Sequence, residues 1–337
     1  MTHSKASLSK SYCVLPFIQQ FVDTDKRILP CCIADRRRLG PEYKGTESFN
    51  SDYLKRIRYQ MLTGGKPPAC KPCWDKEIIG FKSKRKKVNV QFKDWVYNCD
   101  DKGLMYTMPS YYDLRPGNVC NLKCVMCNPR VSSKWREDKE YSFENFDKVV
   151  KFHDEEMDDI VNNASRIKRI QLAGGEPFYM PSVKHLLQKL EPYANDIELH
   201  ITTNLTHLDD SILHILETFK KCVITISMDG LGLVGEYIRY PLNWDEFESN
   251  FNKLLTYKKL KLAVNITQSQ LNAPHIDTVV DWCKTYGVED IDVNNLTEPS
   301  IMAIGSDKAN LRKWLSKLDK HRGTNSKLVL PWIYDDR

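Results

Sequence analysis

Residues 111–127 read YYDLRPGNVCNLKCVMC, a strand-like segment followed directly by three closely spaced cysteines. The spacing CxxxCxxC places Cys120, Cys124 and Cys127 in one short loop. Each thiolate can bind one iron of a cubane [4Fe–4S] cluster, so this loop can hold three of the four irons. The fourth iron is then open to a ligand that is not protein. The stretch therefore predicts an iron–sulfur site at the end of a strand.

Two other kinds of metal site could explain the three cysteines. A fully ligated electron-transfer cluster takes a fourth cysteine, and the nearest candidates, Cys99 and Cys222, lie outside the loop. Zinc takes four ligands such as three cysteines and a histidine. No histidine occurs between Asn128 and His153, and the spacing is not the usual paired zinc spacing. Three cysteines without a nearby fourth therefore favour a cluster that binds a substrate or cofactor.

Strand-like and helix-like segments alternate from about residue 110 onward. Strands are predicted at 111–116, 167–173, 197–203, 222–228, 261–267 and 290–295. Helices are predicted at 144–164, 181–193, 209–220, 244–259, 275–286 and 307–318. Such alternation implies a parallel sheet, and six units are too few to close an eightfold barrel. We therefore predict an α/β fold, a partial (β/α)6 TIM-like barrel with its chemistry at the carboxyl ends of the strands.

Composition sets the general class of the protein. The chain has 337 residues, 41% hydrophobic and 28% charged, which predicts an ordinary packed core. Much of the net charge of +6 lies in residues 36–38 and 82–87. We interpret both runs as solvated surface loops, with binding of phosphate or an acidic peptide as the alternative. No secretory signal or membrane-length apolar run is visible, so a cytoplasmic protein without a membrane partner is expected.

A second cysteine group precedes the barrel. It consists of five thiols: Cys13, Cys31, Cys32, Cys70 and Cys73. Residues 13–32 are predicted to form a strand, a turn and a strand, which would bring the two ends of the segment together. The CxxC at 70–73 could close a site for one metal centre, either an iron–sulfur cluster or a zinc knuckle. In a reducing compartment such clustered thiols indicate metal binding rather than disulfides.

The triad and the ends of later strands resemble the radical S-adenosylmethionine (SAM) superfamily. GGEP at 174–177, TTN at 202–204 and SMDG at 227–230 are similar to segments of that family, although Leu205 replaces a usual glycine. Alone, each segment could be an ordinary turn or helix cap. In this order after the triad they carry more weight, and the resemblance covers about residues 110–295.

This resemblance implies a SAM site above the triad. The implied cofactor-binding residues are Gly174, Gly175, Glu176, Pro177, Asn204, Ser227, Asp229, Arg239 and Asn265. Gln268, on the same strand as Asn265, is a further candidate. In the family, the amino and carboxylate groups of SAM chelate the open iron, and one electron cleaves SAM to a 5′-deoxyadenosyl radical that takes hydrogen from a substrate. An electron donor such as flavodoxin or ferredoxin is implied as a partner.

The second cysteine group resembles the SPASM/Twitch modules of radical SAM maturases, although such modules usually follow the barrel. The resemblance implies an auxiliary [4Fe–4S] cluster held by Cys13, by Cys31 or Cys32, and by Cys70 and Cys73. We predict a cysteine-rich module over 1–80, a basic connector over 81–109, the radical SAM barrel over 110–295 and a C-terminal cap over 296–337. The remaining thiols are interpreted as incidental, with Cys99 kept as a possible hydrogen-atom donor or extra ligand.

The predicted function is abstraction of hydrogen from a peptide or protein side chain. One alternative is a radical SAM enzyme that acts on a small molecule or nucleotide. Another is a non-catalytic iron–sulfur or zinc interaction protein, against which the intact triad and GGEP argue. Nucleic acid is left open as a partner. The sequence indicates no catalytic base, because its eight histidines are dispersed.

Overall fold

One eight-stranded sheet organises the computed structural model, which describes residues 9–335. Its strands are β1 Gln19–Val22, β2 Ile28–Leu29, β3 Tyr111–Leu114, β4 Arg169–Leu172, β5 Glu198–Thr203, β6 Lys221–Ser227, β7 Leu260–Gln268 and β8 Ile291–Asn295. The order is β2-β1-β3-β4-β5-β6-β7-β8, and only the β1–β2 pair is antiparallel. Within the described range β2 and β8 do not pair with each other, so the sheet stays open. The predicted open six-fold α/β arrangement is confirmed by β3–β8.

Thirteen α-helices are described between residues 9 and 335, besides short 3-10 helices. They are α1 Leu15–Ile18, α2 Asp52–Leu62, α3 Lys71–Ile78, α4 Lys84–Gln91, α5 Asp154–Val161, α6 Pro181–Leu190, α7 Asp210–Leu216, α8 Gly232–Ile238, α9 Trp244–Thr256, α10 Ile276–Thr285, α11 Lys308–Arg322, α12 Ser326–Val329 and α13 Pro331–Tyr334. Helices α6, α7, α9, α10 and α11 confirm five of the six helices predicted after residue 110. In the part of the chain that is described, none of the helices has the length and apolar character to cross a membrane.

The helix predicted over 144–164 is wrong in its first half. Only Asp154–Val161 is helical. The preceding residues instead return to the loop after β3, where Asn118 accepts from the backbone N–H of Val150 and Gly117 forms a bridge with Lys151. The apolar residues that predicted one long helix therefore belong to two segments, an irregular one and a shorter helix.

The two faces of the sheet differ in chemistry because side chains alternate along a strand. The outer face packs on the helices and carries Ile170, Leu172, Leu199, Ile201, Ile224, Ile226, Val264 and Ile266. The inner face is largely polar and carries Gln19, Asp113, Gln171, His200, Thr225, Ser227 and Asn265. Because the inner face is polar and open at the carboxyl ends of the strands, it is better suited to bind a polar ligand than to form a packed apolar core.

The N-terminal segment extends the sheet by two strands. β1 pairs in parallel with β3, and β2 folds back on β1 through a turn closed by the Asp23 N–H to Arg27 carbonyl bond at 2.9 Å. The predicted hairpin is therefore confirmed for β1, the turn and β2. The prediction of a strand directly after Cys13 is wrong, because Leu15–Ile18 forms a helical turn in which Pro16 occupies a first-turn position that favours proline.

The basic run at 82–87 is not simply a solvated loop. Ser83 caps α4 by accepting from the N–H of Lys86, so most of the run is helical. Arg85 is buried and pairs with Glu77 at 2.6 Å. Because a buried guanidinium needs a partner, this arginine belongs to the fold and not to a free surface. The other run, at 36–38, lies in an exposed turn as expected.

The C-terminal helices form a second apolar cluster around α8 and α11. Leu311, Leu315 and Leu318 of α11 pack with Ile238 of α8 and with Val125 from the triad loop. This cluster lies directly against the loop that carries the three cysteines. The extent of the C-terminal cap and of the N-terminal module stays a prediction, and residues 1–8 and 336–337 of those segments lie outside the described residues.

Candidate functional site

The triad loop follows β3 at the carboxyl end of the sheet. Its backbone bonds to the segment after β4, since the N–H of Glu176 donates to Val119 at 2.8 Å and that of Gly175 donates to Val131 at 3.0 Å. The N–H of Cys127 donates to the carbonyl of Cys124 at 2.9 Å and tightens the loop. The cysteines and the GGEP segment, 174–177, therefore form one unit of structure.

Gly175 is required by this close contact. Its φ is +50°, a conformation that most side chains disfavour. A Cβ at this position would lie 2.4 Å from the carbonyl oxygen of Val119, which is too close for any side chain. Since the Val119 oxygen belongs to the backbone, it cannot move aside as a flexible side chain could. The glycine therefore lets the GGEP segment lie directly against the triad loop.

The three triad thiols are largely buried, and burial favours their protonated form. Burial raises the pKa of Cys120 to about 12, and burial also raises the pKa of Cys124 and Cys127. The Cys120 sulfur accepts from the Leu122 N–H at 3.5 Å and lies 3.8 Å from the Asn204 amide nitrogen. Iron must displace protons from thiols of this kind, so cluster binding and deprotonation are coupled. The donor set fits an iron–sulfur cluster with three protein ligands.

Glu176 ties the end of β5 to this unit. Its carboxylate is fully buried and accepts from the Thr203 hydroxyl at 2.8 Å, the Asn204 N–H at 2.6 Å and the Phe178 N–H at 3.1 Å. Burial raises the pKa of Glu176 to about 7, although these hydrogen bonds and Arg239 oppose the shift. Its oxygens are thus directed toward the protein backbone and β5.

Asn204 and Leu205 form the turn after β5. The Asn204 side chain donates to Asn121 at 3.0 Å and accepts from the N–H of Thr206 at 3.0 Å. Leu205, at the position where the family has glycine, adopts a left-handed φ of +59°. Its side chain is completely buried, so packing compensates for the backbone strain.

Asp229 and Arg239 form an ion pair beside the triad. The Arg239 Nη1 donates to Asp229, whose other oxygen accepts from the Thr267 N–H at 2.7 Å. The Nε of Arg239 is buried and has no partner among the described residues. Since an unpaired buried N–H is costly, it is available for an anionic ligand group, and SAM has a carboxylate. This orphaned donor fits the predicted role of Arg239.

Ser227 and Asn265 lie side by side on the inner face. They pair in register at the carboxyl ends of β6 and β7, and the Asn294 side-chain amide donates to the side-chain Oδ1 of Asn265 at 2.7 Å. The further candidate Gln268 does not share this surface. Gln268 stands three residues further along β7, an odd number, so its side chain points to the other face.

Comparison with known proteins agrees with this geometry. The sequence profile of the radical SAM superfamily matches residues 114–267, which include the triad, GGEP, strands β4 to β6 and most of β7. The chain carries a radical SAM domain. Two curated relatives match part of the chain: GTP 3′,8-cyclase of Campylobacter lari, 28% identical over 113 residues, and that of Nautilia profundicola, 27% identical over 114 residues. Each match covers 33% of this chain and 32% of the relative, so the chain spans about a third of their length.

Solved structures are also similar to the chain. The structure described as native anSMEcpe with bound AdoMet is 21% identical, covers 55% of this chain and 52% of its own, and gives a TM-score of 0.45. Streptococcus suis SuiB bound to S-adenosylmethionine is 18% identical, covers 79% of this chain and 63% of its own, and gives a TM-score of 0.44. Neither score reaches 0.5.

A buried carboxylate anchors the triad loop of the radical SAM domain to α11. Asp138 accepts from Lys123 at 2.7 Å, His321 at 2.9 Å and Arg322 at 2.7 Å. The Arg322 guanidinium stacks on Trp135, whose indole N–H donates to the Cys124 carbonyl at 3.0 Å. No sequence pattern predicts this contact, because Lys123 and Arg322 are 199 residues apart in the chain.

Four of the five N-terminal cysteines surround one cavity. Cys13, Cys31, Cys70 and Cys73 line a small cavity of about 20 Å³. Cys32 does not line it, and its sulfur instead accepts from the Lys84 ammonium at 2.8 Å. The structure therefore distinguishes Cys31 from Cys32, which the sequence alone does not do.

Three separate segments build this cavity. Cys13 precedes α1, Cys31 follows β2, and Cys70 and Cys73 begin α3. Burial raises the pKa of Cys13 to about 12 and raises the pKa of Cys31 and Cys70 as well. The four thiols supply the donor set of a fully ligated [4Fe–4S] cluster. No group of three or more His, Cys, Asp or Glu side chains in residues 9–335 is arranged around a single metal ion.

The other three cysteines take part in neither group. The Cys99 thiol donates to the Asp100 carbonyl at 3.3 Å beside the antiparallel bridge to Met105. Cys222 and Cys283 are buried in the apolar core. These positions match the interpretation of incidental thiols.

Proposed function

We propose that this chain is an enzyme that cleaves SAM reductively and uses the resulting 5′-deoxyadenosyl radical to abstract hydrogen. The observation that carries the proposal is the triad loop packed on GGEP, with the orphaned Nε of Arg239 beside it. A bound cluster with SAM on its open iron would supply the electron and the radical precursor. The protein itself binds, orients and shields these groups.

Each element of the site has a separate task in this proposal. Cys120, Cys124 and Cys127 hold the cluster. Arg239, fixed by Asp229, offers a buried N–H to the SAM carboxylate. Gly175 brings backbone groups close enough to contact a ligand at the loop. Glu176 acts as a positioning residue, because its oxygens hold the end of β5.

We propose a peptide or protein side chain as the substrate. The inner face offers amide and hydroxyl groups, which pair well with peptide groups. Arg115 pairs with Asp113 at 2.9 Å and Arg169 pairs with Glu198, so neither is free for a phosphate. Arg239 pairs with Asp229 and keeps only its Nε, which the SAM carboxylate takes in this proposal. A triphosphate would need unpaired cations at this position.

A small molecule or nucleotide is the second candidate substrate. The relatives named GTP 3′,8-cyclase favour it, although their match covers only a third of the chain. Competition between a peptide and GTP distinguishes the two. Binding of GTP to the reconstituted protein at micromolar concentration would favour the second candidate.

We further propose that the N-terminal cysteines hold a second [4Fe–4S] cluster, with Cys13, Cys31, Cys70 and Cys73 as ligands. The four thiols that line one cavity support this proposal, and a zinc ion held by the same four thiolates is the alternative. A cluster with all four irons ligated by protein cannot bind substrate directly. Electron relay to the triad cluster is therefore its proposed task.

Production of 5′-deoxyadenosine tests the proposed activity. The protein is reconstituted anaerobically with iron and sulfide, supplied with SAM and reduced with dithionite. We expect 5′-deoxyadenosine from the unchanged chain and none from Cys124→Ala. Absence of the product from the unchanged, fully loaded chain would overturn the proposal. Deuterium transfer from labelled candidate peptides into 5′-deoxyadenosine would then identify the substrate.

A further inference from the structure

The turn between α3 and α4 exposes a run of large apolar side chains. Ile78, Ile79 and Phe81 are 77%, 67% and 66% exposed. Isolated exposed apolar residues are common on protein surfaces, but three at one turn form a patch that usually marks an interaction site. This turn lies in the N-terminal region, away from the triad loop in sequence.

The turn is held in place, so the exposure is a property of the fold. Gly80 has a φ of +84°, and the N–H of Phe81 donates to Lys76 at 2.9 Å. Arg85 at the start of α4 is bonded to Glu77 of α3 at 3.0 and 2.6 Å. The two helices therefore present the apolar side chains on a rigid base.

Positive charge surrounds the apolar side chains. Lys76, Lys82, Lys86 and Lys87 are exposed and form no ion pair with a carboxylate in the described residues. The neighbouring acids are neutralised, because Asp75 pairs with Lys71 and Glu77 pairs with Arg85. We name this surface the α3–α4 tip; it consists of Ile78, Ile79, Phe81, Lys76, Lys82, Lys86 and Lys87.

The α3–α4 tip is continuous with the four-cysteine cavity. Cys73 lies on α3, and Lys84 and Arg85 of α4 line the same cavity. From Cys73 to Ile78 the helix rises only about 7.5 Å, at 1.5 Å per residue. A protein bound at the tip would therefore lie close to a redox centre in the cavity.

We propose that the α3–α4 tip is the docking surface of a small acidic one-electron carrier protein. This inference rests on the proposed second cluster. The carrier would lose one electron and the N-terminal cluster would gain it, with no transfer of atoms. The lysines would attract an acidic carrier, and the apolar side chains would be buried at the centre of the contact.

Two other occupants fit the tip less well. A second copy of this chain in a symmetric contact would place lysines against lysines. An anionic lipid surface would match the charge and the apolar side chains. Binding to a lipid surface would not explain why the tip lies beside the four thiols, whereas binding of an electron carrier would. We therefore favour the carrier.

Charge reversal tests the proposal. The test variant is Lys82→Glu/Lys86→Glu/Lys87→Glu, and the matched control is Lys313→Glu/Lys317→Glu/Lys320→Glu on α11, which changes net charge equally. Binding of purified acidic flavodoxin to the reconstituted full chain is measured by biolayer interferometry at several salt concentrations. We expect the Kd at low salt to rise about tenfold or more in the test variant only, because screening weakens such contacts. A second variant, Ile79→Ser/Phe81→Ser, should weaken binding with little change in its salt dependence.

The reductant separates this inference from the proposed function. In the test variant, 5′-deoxyadenosine formation driven by reduced flavodoxin should fall, while formation driven by dithionite and the iron content stay unchanged. Equal flavodoxin binding by the test and control variants would overturn the inference. The inference would also be overturned if the test variant lost binding to anionic vesicles, or lost a dimer seen by sedimentation, while its flavodoxin binding stayed unchanged. Failure of the unchanged chain with dithionite would instead overturn the proposed function.

Discussion

Cys120, Cys124 and Cys127 lie in one loop, whereas Cys13, Cys31, Cys70 and Cys73 come from three segments. The triad loop is held by backbone bonds to the GGEP segment and by Trp135 at the Cys124 carbonyl. The N-terminal cavity exists only when the β1–β2 hairpin and α3 pack together. One site is thus mostly local and the other is assembled by tertiary structure.

This difference predicts different responses to damage. A local loop can keep its ligand spacing when distant packing weakens, because its own hydrogen bonds remain. A site built from separate segments loses its geometry when any one of them moves. Loss of metal from the N-terminal site should therefore accompany local unfolding, and metal binding there should stabilise the N-terminal region.

Removal of a triad cysteine should have the largest effect. Cys120→Ala is expected to abolish 5′-deoxyadenosine formation, because two thiolates hold a cubane poorly. About four irons should remain at the N-terminal site. Iron and sulfide analysis with product detection by mass spectrometry checks both. Cys222→Ala, a buried thiol outside both groups, should keep both clusters; loss of all iron from Cys120→Ala would mean that the two sites are not independent.

The second-largest effect is expected at the adjacent thiols Cys31 and Cys32, whose variants should differ in iron content. Cys31→Ser is expected to lose about four irons, since Cys31 lines the cavity, while Cys32→Ser keeps them because its sulfur is bonded to Lys84. Electron paramagnetic resonance of the reduced proteins, with iron counts, checks the difference. Equal loss from both variants would place Cys32 among the ligands, and zinc in place of iron would exclude the second cluster.

Removal of the buried carboxylate at Asp138 should destabilise the triad side of the molecule. Asp138→Asn leaves the buried Arg322 without its anion and leaves Lys123 with only the exposed Glu137 at 3.3 Å, at a cost of about 3–5 kcal/mol. Burial raises the pKa of Asp138, but hydrogen bonds from Lys123, Arg322 and His321 lower it below its ordinary value. Its contribution is therefore present above pH about 4 and is lost as the pH falls.

Urea unfolding of the metal-free proteins checks the Asp138 prediction. Asp147→Asn is the control, because Asp147 is exposed and its ion pair with Lys139 is long, at 3.9 Å. We expect a change below about 1 kcal/mol for this surface pair. Similar stability of the two variants would show that the contact between Asp138 and α11 contributes little.

Glu176 should give the smallest effect, visible as a pH dependence. Its raised pKa of about 7 means that the folded protein binds a proton that the unfolded chain, near pH 4.5, has released. Stability should therefore fall as the pH rises from about 4.5 to 7, by roughly 3 kcal/mol at 1.36 kcal/mol per unit. Glu176→Gln should lack this slope in thermal unfolding of the metal-free protein, and Glu47→Gln, an exposed control, should keep it. An unchanged slope in Glu176→Gln would assign the titration to another group.

Much of the barrel could be predicted because its signals are local. Period-two and near-continuous apolar runs marked β3 to β8, and turn residues marked their ends. Errors arose where distant contacts override local pattern. The helix predicted over 144–164 is interrupted because Asn118 binds the chain at Val150. The run at 82–87 became half-buried because Glu77 and Cys32 pair with two of its cations.

The sequence by itself determined the triad, the strand-end motifs and the parallel order, because neighbouring residues and simple periodicity encode them. Only the tertiary structure decided which of Cys31 and Cys32 faces the N-terminal cavity, since adjacent residues in one sequence are indistinguishable until packing orients them. It also decided that β1 and β2 extend the barrel sheet and that Asp138 joins the triad loop to α11. Such contacts depend on long-range burial and charge pairing, which leave no periodic trace in the chain.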